Sequence, residues 1–188
     1  MKDKGIIYYL SKIPDKRRGA GRRHSQELIL LLVLMAIMSG YHGYRAIGDF
    51  IERNRAALIA CLKPQKGRLP SFDTVRRVVM GIDFGEFSRQ FQAWTTECAD
   101  IKPGQWASMD GKAIGGTLKD QPSSRQDFVN LVSVFAYQQK MVVANAKVVN
   151  SKESEIPAVR QLVETLGLKG IVFTLDALHC QKKQPRSL

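Results

Sequence analysis

From residue 24 to residue 99 the apolar positions recur at spacings of three and four, the period of an amphipathic helix. Ser25 is placed to cap a helix running to Met38, which Ser39-Gly40 ends. A second helix is predicted over 45–62. Ile47, Phe50 and Ile51 lie on one face, and Leu58, Ile59 and Leu62 continue it. Lys63 to Gly67 reads as a turn, and Ser71 as the cap of a short helix over 72–80. Asp83 and Glu86 form a D-x-x-E capping signature before a fourth helix. On that helix Phe84, Phe87, Phe91 and Trp94 make an aromatic stripe, read as core packing.

Ile101-Lys102-Pro103-Gly104 breaks the pattern, and the period then changes to that of strands. A strand is predicted over 105–109 and a loop over 111–125. A hairpin follows from 127–137 and 141–150, then a helix over 155–166 capped by Ser154, and a buried strand over 171–175. Trp94 and Trp106 are assigned to the core. The reading is α+β or α/β in three parts: a basic N-terminal arm (1–23), a helical domain (24–102) and a β-β-β-α-β domain (103–188).

Charge sharpens this. The chain has 188 residues, 29 Lys and Arg against 17 Asp and Glu, a net charge of +12 and a pI near 9.8. Such an excess favours a polyanionic partner, nucleic acid first and an anionic membrane second. The arm alone carries Lys2, Lys4, Lys12, Lys16, Arg17, Arg18, Arg22 and Arg23 against Asp3 and Asp15. Arg76 and Arg77 share the short helix opened by Pro70-Ser71. That helix suits a DNA groove with its N-terminus toward phosphate, and equally suits a solvated face.

The longest apolar run, Leu28 to Met38, is too short to span a bilayer and is poorly placed for a signal peptide. Three cysteines, Cys61, Cys98 and Cys180, show no metal or disulfide spacing, which suits a reducing cytoplasm.

Two acids carry the candidate chemistry. Asp110 follows Trp106-Ala107-Ser108-Met109, and Asp176 follows Ile171-Val172-Phe173-Thr174-Leu175. Phosphodiester chemistry needs an activated attacking oxygen and a neutralised leaving oxygen. Two Mg²⁺ or Mn²⁺ ions about 3.5–4 Å apart supply both. Such ions take hard carboxylate ligands, and strand ends would hold them rigidly. A lone Asp-Gly at a strand end is more often a turn. The pair of acids, the basic chain and Lys112 beside the first acid favour a metal site. His179 and Cys180 lack partners for a second one, since His24 and His42 lie in the helical half.

Met109-Asp110-Gly111-Lys112-Ala113-Ile114-Gly115-Gly116-Thr117 resembles the first-acid motif of bacterial H-repeat-associated DDE transposases. Thr174-Leu175-Asp176-Ala177-Leu178-His179-Cys180-Gln181-Lys182 is similar to that family's second-acid motif, and Glu155-Ile156-Pro157 to the start of the helix before it. Asp15 to Gly19, His24, Phe50, Pro70 to Arg77 and Trp94 resemble its associated helical domain.

The resemblance spans residues 10–183. It implies an RNase H-like catalytic fold in which Asp110 and Asp176 hold Mg²⁺ or Mn²⁺ as the first two of three acids. It also implies DNA as partner, with contacts expected from Arg17, Arg18, Arg22, Arg23, Arg76, Arg77 and Lys112. A second copy or a full-length transposase is a further expected partner.

The third acid, a downstream Glu, has no counterpart among these residues. Pro185 would interrupt the helix expected after Asp176. The expectation is therefore a truncated core with one bare sheet edge and little or no strand cleavage. The alternative is a non-catalytic DNA-binding module that inhibits a complete transposase.

Overall fold

The computed structural model describes residues 5–19, 22–119, 127–149, 160, 162–164, 166 and 169–175. The architecture is mixed α and β: helices come first and a four-stranded mixed sheet follows. The chain divides into two compact units, Met1–Gln90 and Phe91–Leu188. Among the described residues, no helix is long and apolar enough to cross a membrane.

The first unit is built around α2 (Gln26–Met38). Its sequence is apolar on nearly every side, as suits a helix surrounded by others. Ser25 Oγ accepts the Leu28 N–H at 3.3 Å, a cap that stabilises a helix by about 1 kcal/mol. At the other end Gly40, at φ 83°, turns the chain so that the Tyr41 N–H reaches the Ala36 carbonyl at 2.9 Å. Ile29, Leu32 and Ala36 are fully buried against Ile47, Phe50 and Ile51 of α3 (Tyr44–Arg53) and Val75 and Val78 of α5 (Phe72–Gly81). Each large side chain buried this way contributes about 1.5–3 kcal/mol.

The helix expected over 45–62 is two helices. Asn54 Nδ2 donates to the Phe50 carbonyl at 2.8 Å, and the backbone there leaves helical geometry (φ −104°, ψ 15°). Asparagine offers the backbone this local alternative to continued helix. α4 (Arg55–Leu62) starts directly after it and ends at Lys63, at φ 45°. α1 (Ile6–Ser11) lies within the segment read as a basic arm, and its neighbourhood is packed: Leu10 and Ile13 are buried with Leu30.

Asp83 Oδ1 accepts the Glu86 N–H at 3.2 Å, as its capping signature predicts, and opens α6 (Phe84–Ala99). The aromatic stripe on α6 is only half-buried, and Phe84 is exposed. The buried α6 side chains are instead Thr95 and Ala99.

In the second unit the sheet order is β3-β2-β1-β4. β1 (Trp106–Lys119) pairs antiparallel with β2 (Asp127–Ala136), which pairs antiparallel with β3 (Met141–Val149). β4 (Val172–Thr174) pairs parallel with β1. The predicted hairpin is β2–β3, and the predicted buried strand is β4. Helical residues 160, 162–164 and 166 fall within the predicted fifth helix, giving the chain order β-β-β-α-β.

The loop expected over 111–125 is strand as far as Lys119. Residues 111–114 keep their ladder with Val132 to Val129 of β2, and that pairing overrides a Gly-rich, turn-like composition. Alternation along β1 turns Ala107 and Met109 into a core with Val132, Val134, Ala136, Ala144 and Val148. Trp106 consequently lies on the opposite face, 53% exposed, rather than in the core. Thr95 Oγ1 approaches the Val143 carbonyl at 2.6 Å, joining α6 to β3 beside the bulge between Val134 and Phe135.

Candidate functional site

Asp110 is the fifth residue of β1, inside a long strand rather than at its end. It pairs opposite Ser133 of β2 and is exposed. By alternation it shares a sheet face with Ser108 and Lys112, and Lys112 is also exposed. The described β1–β4 pairs are Trp106 with Val172, Ala107 with Phe173 and Ser108 with Thr174. Asp110 therefore sits two residues past the last of them.

Asp176, His179, Cys180 and Pro185 lie outside the described residues. Among the described residues no three His, Cys, Asp or Glu side chains gather where a metal ion could sit. One carboxylate with neighbouring hydroxyls does not make a Mg²⁺ site, because that ion needs near-octahedral oxygen ligation.

The first unit contains a different kind of site. A cavity of about 670 Å³ is lined by Arg17, Arg23, Arg55, Arg68 and Arg77 together with His24. Ser71 and Thr74, at the start of α5, add hydroxyls, and no lining residue is acidic. Sequence reasoning singled out Arg17, Arg23 and Arg77 of this set. It missed Arg55 and Arg68, for which no motif stands in the sequence. Arg55 is the first residue of α4, so only the break at Asn54 would have flagged it. Arg18, Arg22 and Arg76 are exposed and outside the cavity lining.

The arginines divide by what already holds them. Arg17 grips Asp15 with two bonds, Nε to Oδ1 at 2.8 Å and Nη2 to Oδ2 at 2.7 Å, and donates to the His24 carbonyl at 2.9 Å. Arg22 donates to the carbonyls of Arg17 and Asp15 at 2.9 and 2.6 Å. These bonds fold the loop before α2 into a fixed shape. The hydrogen bond from Arg17, foremost, holds the Asp15 carboxyl below its ordinary value. Burial, then the positive charges of Arg23, Arg17 and Arg68, press the His24 pKa below its ordinary 6.5. Among the described residues, Arg55 makes an exposed ion pair with Glu52 at 3.5 Å, and Arg77 a bond to its own helix at Asp73. Their guanidinium forks match phosphate oxygens.

Comparison with known proteins decides the family. Residues 7–95 match the family described as DDE_Tnp_1-associated. "Putative transposase YncI" of Escherichia coli K12 is 31% identical over 182 residues, 97% of this chain and 72% of that protein. "H repeat-associated putative transposase YbfD" of the same strain is 30% identical over 182 residues, 97% of this chain and 70% of its own. The chain belongs to the H repeat-associated transposase family. Against "H repeat-associated putative transposase YhhI" it is 31% identical over 182 residues, again 97% of this chain but 47% of the relative. The chain thus spans about half the length of some curated relatives it matches. No solved structure matches it. The arginine cavity falls wholly inside the segment shared with the DDE_Tnp_1-associated family.

Proposed function

We propose that this transposase-family chain binds DNA through the arginine cavity of its helical unit and acts in the cytoplasm. The observation that carries the reading is the convergence of five arginines, from four separate segments, on one concave surface whose lining residues include no acid, although Asp15 and Glu52 pair with two of the arginines from outside it. Such a surface gathers phosphate charge and releases counterions, so binding weakens steeply with salt. Arg18, Arg22 and Arg76 would add contacts on the same unit, and Lys112 is a separate proposed DNA contact on the sheet. A gel-shift titration of duplex DNA at rising salt tests this. Retention at low salt that disappears as salt rises supports the reading, and no retention at low salt overturns it.

The sheet carries the second part of the proposal. It is an RNase H-like core, consistent with its β-β-β-α-β order, in which Asp110 and Asp176 hold Mg²⁺ or Mn²⁺. The register supports this. Each described β1–β4 pair joins position n to position n + 66. β4 runs parallel to β1, so the chain leaves β4 in the same direction in which β1 reaches Asp110. When bound, the ion would neutralise charge on a scissile phosphate.

The proposed activity of these 188 residues on their own is DNA binding without efficient cleavage. Mg²⁺- or Mn²⁺-dependent nicking by the pure protein, abolished by Asp110→Asn, would refute that. A copy that binds DNA without cutting it would compete with a complete relative, and a second copy or such a relative is the expected protein partner.

A further inference from the structure

The sheet has one covered face and one open face. Ala107, Met109, Val132 and Val134 turn into the core, so by alternation Trp106, Ser108, Asp110 and Lys112 of β1 share the other face. The register sets that face out in rows. Trp106 pairs with Val172 of β4. On its other side, one step beyond the Ala107–Ala136 pair, the Tyr137 N–H donates to the Trp106 carbonyl at 3.0 Å. This row is open: Trp106 is 53% exposed, Tyr137 70% and Val172 42%. Farther along β1, about 20 Å from Trp106, Lys112 pairs with Leu131, which pairs with Lys147 of β3. Both lysines are exposed. Among the described side chains of this face they outnumber the acid, Asp110.

That pattern suits a nucleic-acid strand better than a protein. A stable protein interface buries about 800 Å² on each partner, and its core is depleted of charge. Here Asp110, Lys112 and Lys147 stand in the middle of the face, and the exposed rings are confined to one row. Open aromatic rings beside lysines are the parts from which single-strand sites are built. Bases stack on the rings while the phosphates meet the cations, and each stacked base raises affinity roughly five- to a hundredfold. A duplex has its bases stacked on one another and offers the rings no free face.

We propose that the open sheet face is a platform for unpaired nucleotides, whose bases stack on Trp106 and Tyr137 and whose phosphates reach Lys112 and Lys147. The inference rests on the reading of DNA as partner but not on the arginine cavity, whose lining residues all belong to the first unit.

The test uses the full chain carrying Trp94→Phe, which leaves Trp106 as its one tryptophan. The probes are an oligothymidylate of about twelve nucleotides and a blunt duplex of the same length. The single strand should quench Trp106 fluorescence saturably, and the duplex should not. Trp106→Ala with Tyr137→Ala should lower single-strand affinity, read by anisotropy of the labelled probe, at least about fivefold. Duplex affinity should stay within about twofold, since neither ring belongs to the cavity. Both side chains are exposed, so their loss removes no core packing. Trp106→Phe, which keeps a ring, should lose less than Trp106→Ala. Salt separates rings from lysines. The aromatic variant should keep the slope of log K against log salt, whereas Lys112→Gln with Lys147→Gln should flatten it by about 1.4, about 0.7 for each phosphate contact on a single strand.

Equal single-strand affinity with and without the two rings overturns the proposal, and so does an equal loss on duplex. If the aromatic variant instead converts a dimer to a monomer in sedimentation, with strand affinity unchanged, the face belongs to a second copy and the proposal falls. Duplex binding without any single-strand response removes the platform and leaves the cavity reading. A ring-dependent single-strand response without duplex binding removes the cavity reading and leaves the platform.

Discussion

Gly48→Ala separates close helix packing from simple helix propensity. Gly48 lies in α3, where a Cβ would come within 2.7 Å of Phe72 Cβ and 3.6 Å of Phe72 Cα. Carbon atoms pack at about 3.5–4.0 Å, so the first contact falls well inside the allowed distance. No rotamer relieves it, because both atoms are the first of their side chains. Alanine should gain about 0.8–1.0 kcal/mol over glycine inside a helix. Overpacking of this kind costs about 1–3 kcal/mol.

The sum is a loss of up to about 2 kcal/mol, and Gly48→Val should lose more. Phe72 is the first residue of α5, so the strain would displace Ser71, Thr74 and Arg77 and weaken DNA binding several-fold. Trp94 and Trp106 both lie in the second unit, so fluorescence does not report on this site. Hydrogen exchange of the α3 and α5 amides does. Protection should fall in Gly48→Ala. A rise equivalent to about 0.8–1.0 kcal/mol, the plain helix gain, would refute the packing argument.

Other substitutions probe other joints. Thr95→Val keeps shape but removes the hydroxyl facing the Val143 carbonyl, and should cost about 1–3 kcal/mol in urea unfolding followed by tryptophan fluorescence. An unchanged midpoint would show that the bond contributes nothing. Asp15→Asn breaks the two-point grip of Arg17 and should cost about 1–2 kcal/mol, with faster proteolysis before α2.

The pH response has a definite sign. Asp15 is depressed below 3.8, so its contribution is present above that value and lost as pH falls through the folded pKa. His24 is depressed below 6.5, so the unfolded chain takes its proton first and stability falls as pH drops below 6.5. His24→Gln should flatten the decline nearest 6.5, and an unchanged curve would exclude His24 as its source.

The helices that sequence patterns mark well are those whose signals are local. Ser25 and the apolar run define α2, and Asp83 opens α6. The break at Asn54 escaped because an asparagine inside a helical pattern is unremarkable until its side chain is seen bonded to the Phe50 carbonyl. β1 beyond Gly111 escaped because its composition suits a loop, while β2 supplies the ladder that keeps it extended.

The site divides in the same way. Positive charge was plain in the sequence, and so was Asp110 as an acid. The meeting of Arg55 and Arg68 with Arg23 and Arg77 depends on how the helices pack, and no spacing encodes it. Asp110 lies mid-strand because sheet pairing, not the glycine after it, decides where β1 ends.

The claim that DNA is held in the cavity is tested most directly by duplex affinity at one fixed low salt. The comparison is the wild-type chain, the Arg55→Gln, Arg68→Gln, Arg77→Gln variant and an Arg18→Gln, Arg76→Gln variant. At least a tenfold loss is expected in the cavity variant, about 1.4 kcal/mol, and a smaller loss when the outlying arginines are removed. Equal losses in the two variants, or a larger loss in the second, would contradict it.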